Sequence, residues 1–365
     1  MLQSPMLADV LVPFVRDFAG GTAGTVETLV GDASTRRYHR VRVAGGDPTS
    51  AVVMELPDEP LKSDEATAGD RPPELPFLNV QRYLAAGSYP VPRVLRTDLG
   101  RGLIALEDLG DRTFEAAVKA ASPDERGRLY RAAIDQIVAL QALGTRAPDP
   151  ACLAFSRRFD EKLLRWELGH FREWYLEAER GVTLPADASK VVETAFDQIA
   201  AALAAEPVTL VHRDFQSRNL MMVPGDAPAG RPDELRVIDF QDALLGTRAY
   251  DLVALLRDSY VELAPEEVDA LVGYFVARAG IADEAAFRRL FTLQTLQRKL
   301  KDAGRFVFID RVRNNPSFLR WIPTTIAYVR DALAAAPAEL GAHGLVLSQH
   351  APELGRGAPS GAMSS

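Results

Sequence analysis

The chain begins with a helical stripe and then changes period. Leu7, Val10, Leu11, Phe14, Val15 and Phe18 recur at steps of three and four, which predicts a helix over 7–18 closed by Gly20-Gly21. Val26, Leu29 and Val30 then precede Gly31-Asp32-Ala33-Ser34-Thr35, with Tyr38, Val41 and Val43 following. That pattern predicts a hairpin with a polar tip. Ala51-Val52-Val53-Met54-Glu55-Leu56 has the length of a buried strand. The stretch 57–76 is rich in Pro, Asp and Glu, can bury little, and is expected to be a mobile loop. A short helix over 77–86 leads into two further apolar runs at 91–95 and 102–110, so residues 1–110 read as a small sheet carrying a helix.

Beyond residue 110 the helical period dominates, over 129–143, 159–178, 191–203, 253–261, 268–279, 287–308 and 319–333. Short apolar runs at 210–211, 220–223 and 235–238 flank the Gly/Pro-rich stretch 224–232 and predict a small β insertion. The segment 351–365 is mostly Gly, Pro, Ser and Ala, too poor in large apolar groups to offset the entropy of ordering. The expectation is an α+β chain of two lobes, a β-rich one over 1–110 and a larger helical one over 111–350, with a disordered tail over 351–365.

Composition narrows the function. At 365 residues and 47% hydrophobic, the chain can bury a core, which excludes disorder throughout. With 42 Lys and Arg against 50 Asp and Glu the net charge is −8, which argues against a nucleic-acid partner. The single Cys152 excludes an internal disulfide and a thiolate cluster; it suits a reducing cytoplasm and a buried structural role. No stretch approaches the roughly 20 apolar residues of a membrane span, and the first helix lacks the basic start and cleavage site of a signal peptide. No membrane partner is expected.

The chemistry concentrates in His212-Arg213-Asp214-Phe215-Gln216-Ser217-Arg218-Asn219, between two apolar runs, followed some twenty residues on by Ile238-Asp239-Phe240-Gln241-Asp242. Phosphoryl transfer needs a carboxylate to accept the proton of the attacking hydroxyl and oxygen ligands to hold Mg²⁺ against nucleotide phosphates. Asp214 suits the first role; Asn219 and Asp239 suit the second. His212 is expected to fix the loop as a scaffold donor, and Asp251 to bond back to the loop from a helix start.

With these motifs in order, the chain resembles the aminoglycoside phosphotransferase and choline kinase family, small-molecule kinases related to the protein kinases. Within it, Gly31 to Tyr38, Val53-Met54-Glu55, the catalytic loop and Gln297-Arg298-Lys299-Leu300-Lys301 look most like the anomeric kinases of N-acetylmuramate and N-acetylglucosamine in cell-wall recycling. The resemblance implies a protein-kinase-like fold, ATP and Mg²⁺, and an enzyme phosphorylating the C1 hydroxyl of an amino sugar; a monomer is expected. It places Ser34 and Thr35 over the phosphates and Glu107 and Leu109 at the adenine, through their backbone groups. Family members usually carry Lys where this chain has Met54, so Arg36 or Arg37 is the candidate replacement cation. They more often have Gly where it has Arg213. Gln216 and Arg218 are candidate acceptor contacts. Arg298, Lys301 and Arg305, at helical spacing, are expected to read an acceptor carboxylate, unless they form a solvated charged face. Trp166, Trp174 and Tyr175 offer aromatic faces to a sugar or a quaternary ammonium, although at this spacing such residues more often build core. Choline, homoserine or an aminoglycoside as acceptor stays open, as does nucleotide binding without turnover.

Overall fold

The structure, a computed structural model, describes residues 4–29, 36–57, 74–225, 233–337 and 340–355. The hairpin tip with Ser34 and Thr35, nearly all of the 57–76 stretch, and residues 356–365 lie outside them. The chain divides into two compact units, one comprising Met1–Leu75, Pro90–Arg112 and Met221–Ile238, the other the remainder.

In the first unit, helix α1 (Ser4–Ala19) lies against a five-stranded antiparallel sheet. Its strands β1 (Gly24–Leu29), β2 (Arg37–Val43), β3 (Ser50–Glu55), β4 (Val94–Asp98) and β5 (Leu103–Glu107) run in the order β1-β2-β3-β5-β4. Leu11, Phe14 and Val15 of α1 join Val41, Val43, Ala51, Val53, Leu103 and Ala105 in one core, so the odd-numbered positions of β2 and β3 face the helix. The predicted stop after α1 has a steric cause: Gly21 sits at φ +87, and a Cβ there would fall 2.5 Å from the Ala44 carbonyl oxygen.

Helix α2 (Pro76–Ala86), which the sequence assigns to the sheet, belongs to the second unit. Phe77 meets Phe240 with ring centroids 5.0 Å apart. The Asn79 side chain bridges the Ala151 carbonyl and the Leu153 N–H. The other helices there are α3 (Phe114–Ala120), α4 (Pro123–Arg146), α5 (Glu161–His170), α6 (Ala186–Ala205), α7 (Tyr250–Leu256), α8 (Pro265–Arg278), α9 (Glu284–Arg313), α10 (Ile322–Ala335) and α11 (Gly341–His350).

The apolar runs predicted as one β insertion form two separate pairs. Strand β6 (Val208–Val211) pairs with β9 (Leu244–Thr247), whereas β7 (Leu220–Val223) pairs with β8 (Glu234–Val237). The β7 and β8 pair counts with the first unit because Met222 N–H donates to the Arg112 carbonyl and Val237 N–H to the Pro90 carbonyl, each at 2.8 Å. A single cut at residue 110 therefore does not describe how this chain divides.

The helix predicted over 159–178 starts two residues later, after the N-cap Asp160, and beyond α5 it widens into a π-helical segment, Phe171–Glu179. That change of period falls where Gly304 of α9 lets the His170 backbone approach so closely that any Cβ would collide with it. Residues 351–355, assigned by composition to the tail, form instead a packed 3-10 turn over Pro352–Leu354. Its Glu353 accepts from the Tyr175 hydroxyl at 2.7 Å and pairs with Arg180 at 3.0 Å. Among the described residues no helix is long and apolar enough to cross a membrane, and Cys152 is buried.

Candidate active site

Strand β6 ends at Val211 and releases the loop 212–219, which two buried carboxylates brace from one side. Asp251, in the first turn of α7, accepts from the His212 N–H at 2.7 Å and the Arg213 N–H at 3.0 Å, as the sequence led one to expect. Seven residues on, Asp258 accepts from both the N–H and the hydroxyl of Ser217, at 2.8 and 2.6 Å. Burial pushes both carboxyls above their ordinary range, and the donated hydrogen bonds work against it. His212 contributes as an acceptor as well: its Nδ1 takes the Asp214 N–H at 3.3 Å. Between the braces, the Asn219 side-chain amide and the Gln216 N–H both donate to the Asp214 carbonyl at 2.8 Å, which folds the loop into a tight turn.

Arg213 sits at φ +79, where glycine is at ease and another residue is strained by about 1–3 kcal/mol. Its side chain gives a reason for tolerating that, since the guanidinium lies 3.5 Å from the fully buried Glu167 and 5.8 Å from the centre of the Phe159 ring.

The basic run on α9 is not a solvated face. Every residue from Gln294 to Gly304 is buried. Arg298 donates to the Arg213 carbonyl at 2.7 Å and to Asp214 Oδ1 at 3.3 Å. Lys299 and Lys301 pair with Asp302 at 2.8 and 3.2 Å. Gln297 donates to Glu167 at 2.7 Å, and Gln294 in turn to Gln297 at 2.9 Å. Burial alone would raise the Asp214 carboxyl, but the positive charges of Arg298, Lys301 and Arg213 outweigh it and hold the group below its ordinary range. Asp214 is therefore ionised at neutral pH, and 38% of its side chain remains exposed.

Asp239 follows β8 in the left-handed region at φ 66. Its Oδ1 accepts from the Gln241 amide at 2.8 Å, and its Oδ2 stands 3.5 Å from the Asn219 amide nitrogen. With that nitrogen turned to the Asp214 carbonyl, the oxygen of Asn219 is its acceptor for a cation. A carboxylate and an amide oxygen are hard donors of the kind Mg²⁺ takes alongside phosphate oxygens and water, so this pair fits the ion. Among the described residues no group of three or more His, Cys, Asp or Glu could hold a metal ion.

The first unit carries the remaining nucleotide candidates. Met54 is fully buried and lies opposite Tyr38, while Glu55 lies opposite Arg37. Arg37 pairs with Glu55 at 3.0 Å, and Glu55 also meets His39 at 3.2 Å. By strand alternation Arg37 thus shares the α1 side of the sheet; Arg36 precedes the strand, and Tyr38 and Arg40 share the Met54 side. On that side the buried Arg40 pairs with Asp108 at 2.8 Å and Asp111 at 2.7 Å, tying β2 to the linker that follows β5. The Glu107 N–H donates to the Arg93 carbonyl at 2.9 Å, and Leu109 is buried.

The acceptor candidates separate. Arg218 pairs with Glu115 at 2.8 Å and stacks 3.9 Å from the Tyr260 ring centre. Arg305 lies 4.8 Å from the ring centre of Phe308, which Trp174 meets edge-on at 5.1 Å. Tyr175 is core, and Trp166 is exposed with its edge on His170. Sequence reasoning missed Asp258 and Glu167. An acid seven residues after Asp251 beyond an apolar run, and one between Trp166 and Leu168 in a helical stripe, were the available signals.

A model of the phosphotransferase enzyme family matches residues 25–290. The chain is similar to the N-acetylmuramate/N-acetylglucosamine kinase of Pseudomonas putida, with 34% identity over 352 residues and 92% of each chain covered. The protein of the same name in Pseudomonas aeruginosa is 33% identical over 321 residues, 85% of each. Among solved structures, the GDP complex of wild-type aminoglycoside 2'-phosphotransferase-IIIa superposes with a TM-score of 0.58 at 16% identity, covering 92% of this chain and 99% of that one. The fold is thus protein-kinase-like, with a small antiparallel sheet and a larger helical part.

Proposed function

Since the chain belongs to the phosphotransferase enzyme family, we propose that it is an ATP-dependent kinase that phosphorylates the anomeric hydroxyl of N-acetylmuramate, N-acetylglucosamine or both. The observation that carries this reading is identity of about one third, across nearly the whole chain, to kinases named for those two sugars. The site supplies the chemistry. Asp214, ionised and partly exposed, accepts the C1 hydroxyl proton as that oxygen bonds to the γ-phosphorus and ADP leaves. Asn219 and Asp239 hold Mg²⁺, which neutralises charge on the phosphate oxygens when bound. Arg36 takes the part of the strand Lys that Met54 replaces. Lys301 and Arg305 read the carboxylate that distinguishes N-acetylmuramate, and the protein works as a cytoplasmic monomer.

The test is a coupled assay of nucleotide consumption with ATP and with GTP, over both amino sugars, choline, homoserine and an aminoglycoside, with the product resolved as a sugar 1-phosphate. Turnover confined to the amino sugars is expected. Turnover only with another alcohol would overturn the acceptor, and nucleotide binding without turnover on any of them would overturn the kinase itself.

A further inference from the structure

Arg298 is placed where it cannot meet a ligand. It is the largest of the fully buried side chains, with no exposure, so no acceptor carboxylate can reach its guanidinium in this structure. What it does touch belongs to the catalytic loop. One terminal nitrogen donates to the Arg213 carbonyl at 2.7 Å and the other faces Asp214 Oδ1 at 3.3 Å. Its plane lies 5.0 Å from the ring centre of Tyr250, and its Nε stands 3.8 Å from Asp302. A planar fork that spans a backbone carbonyl and the next residue's carboxylate fixes the angle between them, which a single-point ammonium cannot do.

We propose that Arg298 is the positioning residue of the catalytic loop, clamping the Arg213 carbonyl and the Asp214 carboxylate in one orientation and taking no part in recognising the acceptor. The neighbouring lysine makes different contacts, near the other end of the loop. Lys299 pairs with Asp302 and lies 3.4 Å from Ser259, next to the Asp258 that holds Ser217. Of these consecutive cations of α9, Arg298 contacts the loop itself and Lys299 contacts the neighbour of the residue that braces its far end, while Lys301, beside Asp302, retains 10% of its side-chain exposure. Of the three basic residues at helical spacing, Arg298 belongs to the base. This inference rests on the reading of Asp214 as general base.

The experiment is a double-mutant cycle on the full chain, with kcat and KM measured for a sugar bearing the carboxylate and one lacking it. Arg298→Gln and Arg298→Lys are made in the native and the Asp214→Asn backgrounds, with thermal melts as the control for folding. Misplacing a catalytic group by about 1 Å costs on the order of 100-fold, so Arg298→Gln should lower kcat by about 10–100-fold, equally on both sugars, with both KM values nearly unchanged. Arg298→Lys, which keeps the charge and loses the fork, should recover only part of that. In the Asp214→Asn background the same substitutions should change kcat by less than about 2-fold, because residues that act as a unit are not additive. A loss confined to the carboxylate-bearing sugar would overturn the proposal. So would an undiminished loss in the Asp214→Asn background, or wild-type turnover by Arg298→Lys, the variant that remains informative should the Gln form not fold. Near-normal turnover by Asp214→Asn alone would overturn the general base itself, a different pattern from any of these.

Discussion

The amide nitrogen of Asn219 lies 3.5 Å from Oδ2 of Asp239 while donating to the Asp214 carbonyl at 2.8 Å, so one side chain orients the candidate metal carboxylate and the backbone of the candidate base together. Twenty residues separate Asn219 from Asp239, and it is β7 and β8 that bring the chain back. The candidate base and the candidate metal ligands thereby become parts of one hydrogen-bonded assembly.

Removing the carboxylate should expose this dependence on Mg²⁺. Asp239→Ala is expected to abolish turnover, and Asp239→Asn to leave a residual rate whose Mg²⁺ titration midpoint lies well above that of the native enzyme. Chelation should silence both the native protein and the Asn variant. An unchanged Mg²⁺ midpoint in a variant that still turns over would remove Asp239 from the metal.

Asp214→Asn keeps the shape of the loop and removes the proton acceptor. General-base loss usually costs about 10²–10⁴-fold, and the fall should appear in kcat with the nucleotide KM little changed. An anomeric hydroxyl is more acidic than an ordinary alcohol, which places the expected loss toward the lower end. Steady-state kinetics at saturating sugar would decide it.

Strand alternation distinguishes the two arginines at the hairpin. Arg37 is half exposed and engaged with Glu55 at 3.0 Å on the α1 side of the sheet, and such surface pairs contribute at most about 1 kcal/mol. Arg36 immediately precedes β2, and continuing the alternation by one residue would put it on the Met54 side. Arg36→Ala should raise the nucleotide KM several-fold and lower kcat, whereas Arg37→Ala should leave both within about 2-fold. The reverse order would place the phosphate cation on the other face of β2.

Discrimination between the two sugars should come from Lys301 and Arg305. A charge-assisted hydrogen bond to the extra carboxylate of N-acetylmuramate contributes about 1.5–3 kcal/mol, so Arg305→Ala should cut kcat/KM for that sugar by roughly 10–150-fold. N-acetylglucosamine offers no such group and should be little affected. Equal losses on both sugars would take the residue out of acceptor recognition.

Much of this site was legible in the sequence, for identifiable reasons. Asp214, Asn219 and Asp239 stand out as candidates because phosphoryl transfer asks for those residue types at short spacings along the chain, and the fold brings the three together. Strand β3 and helix α9 are readable because their periods are plain. Asp258 and Glu167 act through contacts across 41 and 130 positions, to Ser217 and Gln297, and local pattern carries no trace of such pairings. Gln297-Arg298-Lys299-Leu300-Lys301 looks like a solvated stripe, since charges of this density are normally outside. Here Asp302, Glu167 and Asp214 neutralise the segment from within the fold. Helix α11 has glycines at both Gly341 and Gly344 and little amphipathic order, so only tertiary packing reveals it.

That packing sets a dependence of stability on pH through His343 of α11. The ring is buried against Phe196, at 5.6 Å between centroids, with both nitrogens lacking a hydrogen-bond partner among the described residues. Burial lowers its pKa from 6.5 to about 4. Folded His343 therefore binds protons less readily than unfolded His343, so it adds no pH dependence above pH 6.5, and stability is lost as pH falls from there toward 4. At 1.36 kcal/mol per pKa unit the loss across that window is about 3 kcal/mol. His343→Phe removes the titrating group and retains the aromatic contact. Its melting temperature relative to the native chain should rise as pH is lowered from about 7.5 to about 5, because only the native chain has the His343 ring to gain a proton on unfolding in that range. Parallel melting curves for the two proteins across this window would show that His343 carries none of the acid sensitivity.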